Sequence, residues 1–133
     1  DAGSDIVSKQ IRIYNMRQKK NIFLYKNFTP EDYIKILKNS KLIMGNSSSG
    51  IREASYLGVH AINIGSRQNN REKGKNVHDV SCDANKILKV FNKKIKLRSC
   101  PKSKLYGQGN AAKQIIRILF KKKINIKKEF KRI

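Results

Sequence analysis

The segment Gly45-Asn46-Ser47-Ser48-Ser49-Gly50 sets three hydroxyls between two glycines, just after the apolar run Leu42-Ile43-Met44 and just ahead of a helical stretch. Backbone N–H groups at such a strand–turn–helix junction lack intrahelical acceptors and carry partial positive charge. Small residues there let an anion come close. The composition suits a phosphate cradle, with Ser47, Ser48 and Ser49 as donors and Gly50 opening the approach. It is not a P-loop, because GxxxxGK[ST] is absent. Glu53 follows about one helical turn on, where a carboxylate can accept two ribose hydroxyls, as acids near Rossmann phosphate sites do. Arg67 stands just past Gly65, and a guanidinium can clamp a phosphate through two parallel hydrogen bonds. Each residue also has a plain structural reading. A Ser/Gly turn caps a helix, a helix glutamate pairs with Arg52 or a lysine, and a loop arginine is solvated. Nucleophilic chemistry at the serines finds no support. GxSxG is missing, and neither His60 nor His78 has a relay acid in the sequence.

The elements that must position these residues alternate. In residues 4–18, Val7, Ile11 and Tyr14 recur at helical spacing, with Ser4 or Asp5 as cap. Residues 21–25 read as a buried strand. Thr29-Pro30-Glu31-Asp32 is a strong helix start, with a Thr cap, Pro in the first position and acids in the first turn. That helix ends near Ser40. Residues 41–44 read as a second strand, Ile51 to Leu57 as a helix ended by Gly58, and 61–64 as a third strand stopped by Gly65. A polar loop leads to a short fourth strand, Val77 to Val80. Asp83 caps a helix to about Phe91, and 95–108 look irregular. Gly109-Asn110 opens a last helix with Ala112, Ile115, Ile116, Leu119 and Phe120 as its apolar stripe. Strands alternating with helices predict an α/β, Rossmann-like three-layer domain, a parallel sheet with helices on both faces. Parallel strands end on one sheet edge, so the serine turn and Arg67 are expected to face one crevice. The chain enters its first helix from Asp-Ala-Gly-Ser with no strand ahead, so the domain is expected to lack its first strand.

Length and charge narrow the partners. The 133 residues suit one domain over 1–120 and a basic tail over 121–133. The formal net charge is +22, of which residues 83–133 carry +15. That excess implies an anionic partner: a nucleotide, a nucleic acid or a membrane surface. Codon bias toward Lys, Ile and Asn produces the same numbers. No RNP, KH, helix-turn-helix or zinc signature appears, and aromatics do not interleave with the basic run, which argues against nucleic acid. No apolar run reaches the ~20 residues a bilayer helix needs. Cys82 and Cys100 form no CxxC pair, and with only two histidines a zinc site is not expected. Two incidental thiols fit a reduced, cytoplasmic protein.

Six segments come in one order: Asp-Ala-Gly-Ser (1–4), Pro-Glu-Asp-Tyr (30–33), Gly-Asn-Ser-Ser-Ser-Gly-Ile-Arg-Glu (45–53), Asn-Ile-Gly-Ser-Arg-Gln (63–68), Arg-Glu-Lys-Gly-Lys-Asn-Val (71–77) and Leu-Tyr-Gly-Gln-Gly-Asn-Ala (105–111). Together they resemble the C-terminal domain of the hydrolysing UDP-N-acetylglucosamine 2-epimerases of sialic-acid and related nonulosonic-acid pathways. The serine segment followed by Gly-Ser-Arg-Gln favours that branch over the non-hydrolysing enzymes, which carry Asp-Ser-Gly-Gly there. The resemblance implies half of a GT-B-like fold that grips UDP, with no cofactor and no metal. It implies elimination of UDP to a glycal and then addition of water, giving ManNAc from UDP-GlcNAc. On this chain, Ser47 and Ser48 would hold the diphosphate, Glu53 the ribose, and Arg67 the charge that builds as UDP leaves. Phe28 and Tyr33 would sit at the uracil pocket, although each also suits a core. The acid/base carboxylates would belong to an N-terminal catalytic domain that this chain lacks, as in a natural fragment or half of a split enzyme. His60, Asn69-Asn70 and Lys75 depart from the pattern. A UDP- or GDP-linked diacetamido sugar is an equally open substrate, and a homo-oligomer is compatible.

Overall fold

The computed structural model describes residues 4–18 and 22–121. The chain divides into two compact units, Asp1–Asp32 and Tyr33–Ile133. In the first, helix α1 runs over Ser4–Gln18, as its periodicity predicts. The expected strand at 21–25 is not formed. Residues 22–25 are irregular and pair with no segment among the described residues, with Phe23 78% and Tyr25 66% exposed. Residue 21 lies outside the described residues. An apolar run becomes a strand only when a neighbour accepts and donates its ladder bonds, and 22–25 has none.

The second unit holds the sheet. Helix α2 spans Pro30–Asn39, started by Thr29, whose Oγ1 accepts the Asp32 N–H at 3.2 Å. Strands β1 (Leu42–Gly45), β2 (His60–Ile64) and β3 (Val77–Val80) form one parallel sheet in the order β1-β2-β3. Between β1 and β2 the chain makes a 3₁₀ turn, Ser48–Gly50, then the five-residue helix α3, Glu53–Leu57. The expected helix from Ile51 is therefore shorter. The Ile51 and Arg52 N–H groups both fall back on Ser48 O, at 3.0 and 2.9 Å, so the first turn is wound tightly. After β3 come α4 (Ala84–Lys94), capped by Asp83, and α5 (Ala111–Lys121). Residues 122–133, with most of the basic tail, lie outside the described residues.

Register explains the layers. Ile43, Ala61 and Val77 align across the three strands, so their side chains share one face. Leu37, Ala54 and Val59 close on that row with Tyr33 and Leu57. Two alanines at the contact, Ala54 and Ala61, both at most 2% exposed, let α3 lie close on β2. Met44, Ile62 and His78 form the opposite row. Helix α4 packs on β2 and β3, and Lys93 and Lys94 at its C-terminal end act electrostatically on His78. The molecule is thus an α/β, Rossmann-like domain with helices on both faces of a parallel sheet. The α5 stripe is uncovered, with Ile115, Ile116 and Leu119 all more than half exposed. Among the described residues no helix is long and apolar enough to cross a membrane.

Candidate functional site

The C-terminal ends of β1 and β2 carry the serine turn and the Arg67 turn side by side. Ser47 caps the 3₁₀ turn, its Oγ accepting the Ser49 N–H at 3.3 Å and its carbonyl the Gly50 N–H at 3.3 Å. The N–H groups of Ser47 and Ser48 stand ahead of that turn, at positions that have no intrahelical acceptor. Ser47 is exposed and Ser48 half-buried. The Ser49 hydroxyl is engaged with the Tyr33 hydroxyl at 2.5 Å. Tyr33 thus braces the turn from α2. Gly50 fits a packing role: a Cβ there would stand 3.3 Å from the Ala61 Cβ and 3.9 Å from Ile43 Cγ2. With only five residues in α3, its dipole is small, so hydroxyls and loop amides dominate the local field.

Glu53 opens α3 and borders a cavity of about 330 Å³ that Ile34, Arg52, Tyr56 and Tyr106 also line. Its Oε2 is buried and has no hydrogen-bond partner among the described residues. An unpartnered buried carboxylate oxygen is costly, so a hydrogen-bond donor brought to it would be favoured. Arg52 instead lies over the Tyr106 ring, 6.0 Å from its centre. Arg67 is exposed in the turn that Asn69 N–H to Ser66 O closes at 2.9 Å. Its neighbour Gln68 is 3% exposed and donates Nε2–H to Asn46 O at 2.8 Å, tying the Arg67 turn to the serine turn. Phe28 belongs to the first unit, where its ring lies 4.8 Å from that of Tyr25.

Behind the turn sits a buried amide. Asn76, 1% exposed, donates Nδ2–H to Val59 O at 2.9 Å and to Gly50 O at 3.2 Å, and accepts from Ser55 Oγ at 2.5 Å. Gln68 and Asn76 were legible in the sequence only as polar letters between strands, and nothing in their spacing marks them as buried. His60 is a packed residue, 4% exposed, with Nε2 at 2.8 Å from Arg98 O and Nδ1 at 3.1 Å from Cys100 Sγ. Burial pushes the Cys100 thiol above its ordinary pKa, the reverse of an activated nucleophile. Burial chiefly, then Lys94 and His60, lowers the His78 pKa. Burial works to raise the Asp79 pKa, but hydrogen bonds from Lys73 and Asn63 hold it below its usual value.

Known proteins resemble this chain in sequence. The family model described as UDP-N-acetylglucosamine 2-epimerase matches residues 1–120. A Legionella pneumophila protein named UDP-N,N'-diacetylbacillosamine 2-epimerase (hydrolyzing) is 34% identical over 124 residues, 90% of this chain and 31% of its own length. The Escherichia coli polysialic acid biosynthesis protein P7 is 37% identical over 92 residues, 69% of this chain and 23% of its own. A Neisseria meningitidis UDP-N-acetylglucosamine 2-epimerase is 35% identical over 77 residues, 58% of this chain and 20% of its own. The chain spans less than a third of the length of each of these relatives. With the match running through both turns of the site and all three strands beneath them, the chain belongs to the UDP-N-acetylglucosamine 2-epimerase family.

Proposed function

We propose that this chain is the UDP-gripping part of a hydrolysing UDP-sugar 2-epimerase. In the whole enzyme a base takes the C2 proton of UDP-GlcNAc, the C1–O bond breaks, and UDP departs with the bonding electron pair. Water then adds across the resulting glycal, leaving ManNAc. Ser47 and Ser48 hold the diphosphate, and Glu53 accepts the ribose hydroxyls. Arg67 neutralises the charge that grows on UDP as it leaves, which is the term that lowers the barrier. Tyr33, bonded to the serine turn, borders the uracil. Acid and base groups come from an N-terminal domain, in line with the share of its relatives that the chain spans.

The observation that carries the reading is the buried, partnerless Oε2 of Glu53 beside a cavity of about 330 Å³, a volume within the range of small-ligand sites. A vicinal diol supplies the missing donor. A second reading is a diacetamido sugar on UDP or GDP, the UDP form being favoured by the name of the Legionella relative. It leaves the roles of Ser47, Ser48 and Arg67 unchanged.

Calorimetric titration with UDP and UMP tests the proposal. Saturable 1:1 binding that prefers UDP is expected. Arg67→Ala should weaken it about tenfold or more, since hydrogen bonds to charged groups contribute roughly 1.5–3 kcal/mol. Equal affinity of the unmodified chain and Arg67→Ala overturns the assignment of Arg67. Absence of any UDP binding overturns the reading itself.

A further inference from the structure

We infer that Gln68 is a positioning residue that sets the distance between the Arg67 guanidinium and the serine turn. The inference rests on the proposed diphosphate site and deepens it. Arg67 and Gln68 are adjacent in the turn closed by Ser66 and Asn69, and they go opposite ways. Arg67 is exposed, and Gln68 is buried to 3% exposure. From there its Nε2–H reaches across to Asn46 O at 2.8 Å. The Asn46 carbonyl belongs to the peptide whose N–H is that of Ser47. A trans peptide directs its C=O and N–H to opposite sides. Holding that carbonyl toward Gln68 turns the Ser47 N–H away from it, toward the outer side of the turn. One amide therefore does two things: it orients a donor of the cradle, and it anchors the turn that carries the cation.

Asn76 repeats the device at the other end of the segment, through Gly50 O at 3.2 Å. The two amides grip the carbonyls at both ends of 46–50 from the protein side. They differ in what else they hold. Asn76 also ties down Ser55 and Val59, so its loss disturbs the fold. Gln68 has one bond, and its Oε1 is buried without a partner among the described residues. A side chain retained in a costly, half-satisfied state fits a role in geometry more than in stability.

Coupling to Arg67 distinguishes positioning from mere stability. The test titrates the full 133-residue chain with UDP and with uridine, for the parent, Gln68→Met, Arg67→Ala and the double variant, with thermal melting alongside. Gln68→Met keeps the shape and removes the amide. UDP affinity should fall about tenfold, the effect of one well-placed hydrogen bond, while uridine affinity changes less than twofold. In the Arg67→Ala background the same substitution should cost clearly less than tenfold, because part of its effect runs through Arg67 and only the share carried by the Ser47 donor remains. Gln68→Asn, too short to reach Asn46, should match Gln68→Met and serves if the latter fails to fold. Additive losses, equal losses for UDP and uridine, or unchanged UDP affinity each overturn the inference and leave the UDP site standing. A parent chain that binds no UDP overturns both.

Discussion

Asn76→Ala is the sharpest test of how the site is held up. The side chain makes three hydrogen bonds, to Val59 O, to Gly50 O and from Ser55 Oγ. Asn76 and Ser55 are each 1% exposed, so water cannot replace what is lost. Each neutral bond contributes about 1 kcal/mol net, and a buried group left without a partner costs about 1–3 kcal/mol. The three together predict a loss of about 3–5 kcal/mol, a large part of the roughly 5–15 kcal/mol that holds a domain folded. Ser55→Ala removes one donor and should cost about 1–2 kcal/mol. Because the two side chains share a bond, the double variant should lose less than the sum, by about 0.5 kcal/mol or more. Urea unfolding followed by far-UV circular dichroism reads all four midpoints. A loss below about 1 kcal/mol for Asn76→Ala, or strict additivity with Ser55→Ala, would refute the reasoning.

Gly58 ends α3 at φ 76°, and a Cβ there would collide with the Cys100 carbonyl. Gly58→Ala should lower stability by at least about 2 kcal/mol, and thermal melting checks it. The His78 pKa lies below that of the unfolded chain, so the unfolded state binds the proton more readily. Stability should therefore fall as pH drops below about 6.5, and His78→Phe should flatten that slope. A pH series of urea midpoints that runs parallel for the two proteins would contradict this. Arg67→Lys should recover only part of the UDP affinity lost in Arg67→Ala, since an ammonium offers no planar fork for a phosphate. Titration shows whether the recovery is instead complete.

Much of this fold was legible where local chemistry decides it. Thr29-Pro30 and Asp83 start α2 and α4 by caps that need no tertiary help. The runs at 41–44, 61–64 and 77–80 became three parallel strands. The failures share a cause, because each depended on a partner that sequence does not show. Residues 22–25 have strand-like side chains and no ladder. The helix expected from Ile51 gave way to a 3₁₀ turn because Ser48 O takes two N–H groups. The bond between the Ser49 and Tyr33 hydroxyls, sixteen residues apart, was likewise invisible in the sequence. Gln68 and Asn76 were polar residues in a polar loop, and only the approach of Asn46, Gly50 and Val59 explains why they are buried. The α5 stripe was read correctly as a stripe, yet amphipathicity does not say what covers it.

Amide-resolved NMR of the labelled chain during titration with UDP addresses the central claim most directly. It separates a built diphosphate site from diffuse attraction to a chain of net charge +22. The account predicts saturable shifts at Ser47, Ser48, Arg67 and Glu53 that persist at high salt, and weaker ones with UMP. Shifts confined to the lysines and arginines of residues 83–133 and abolished by salt would contradict it.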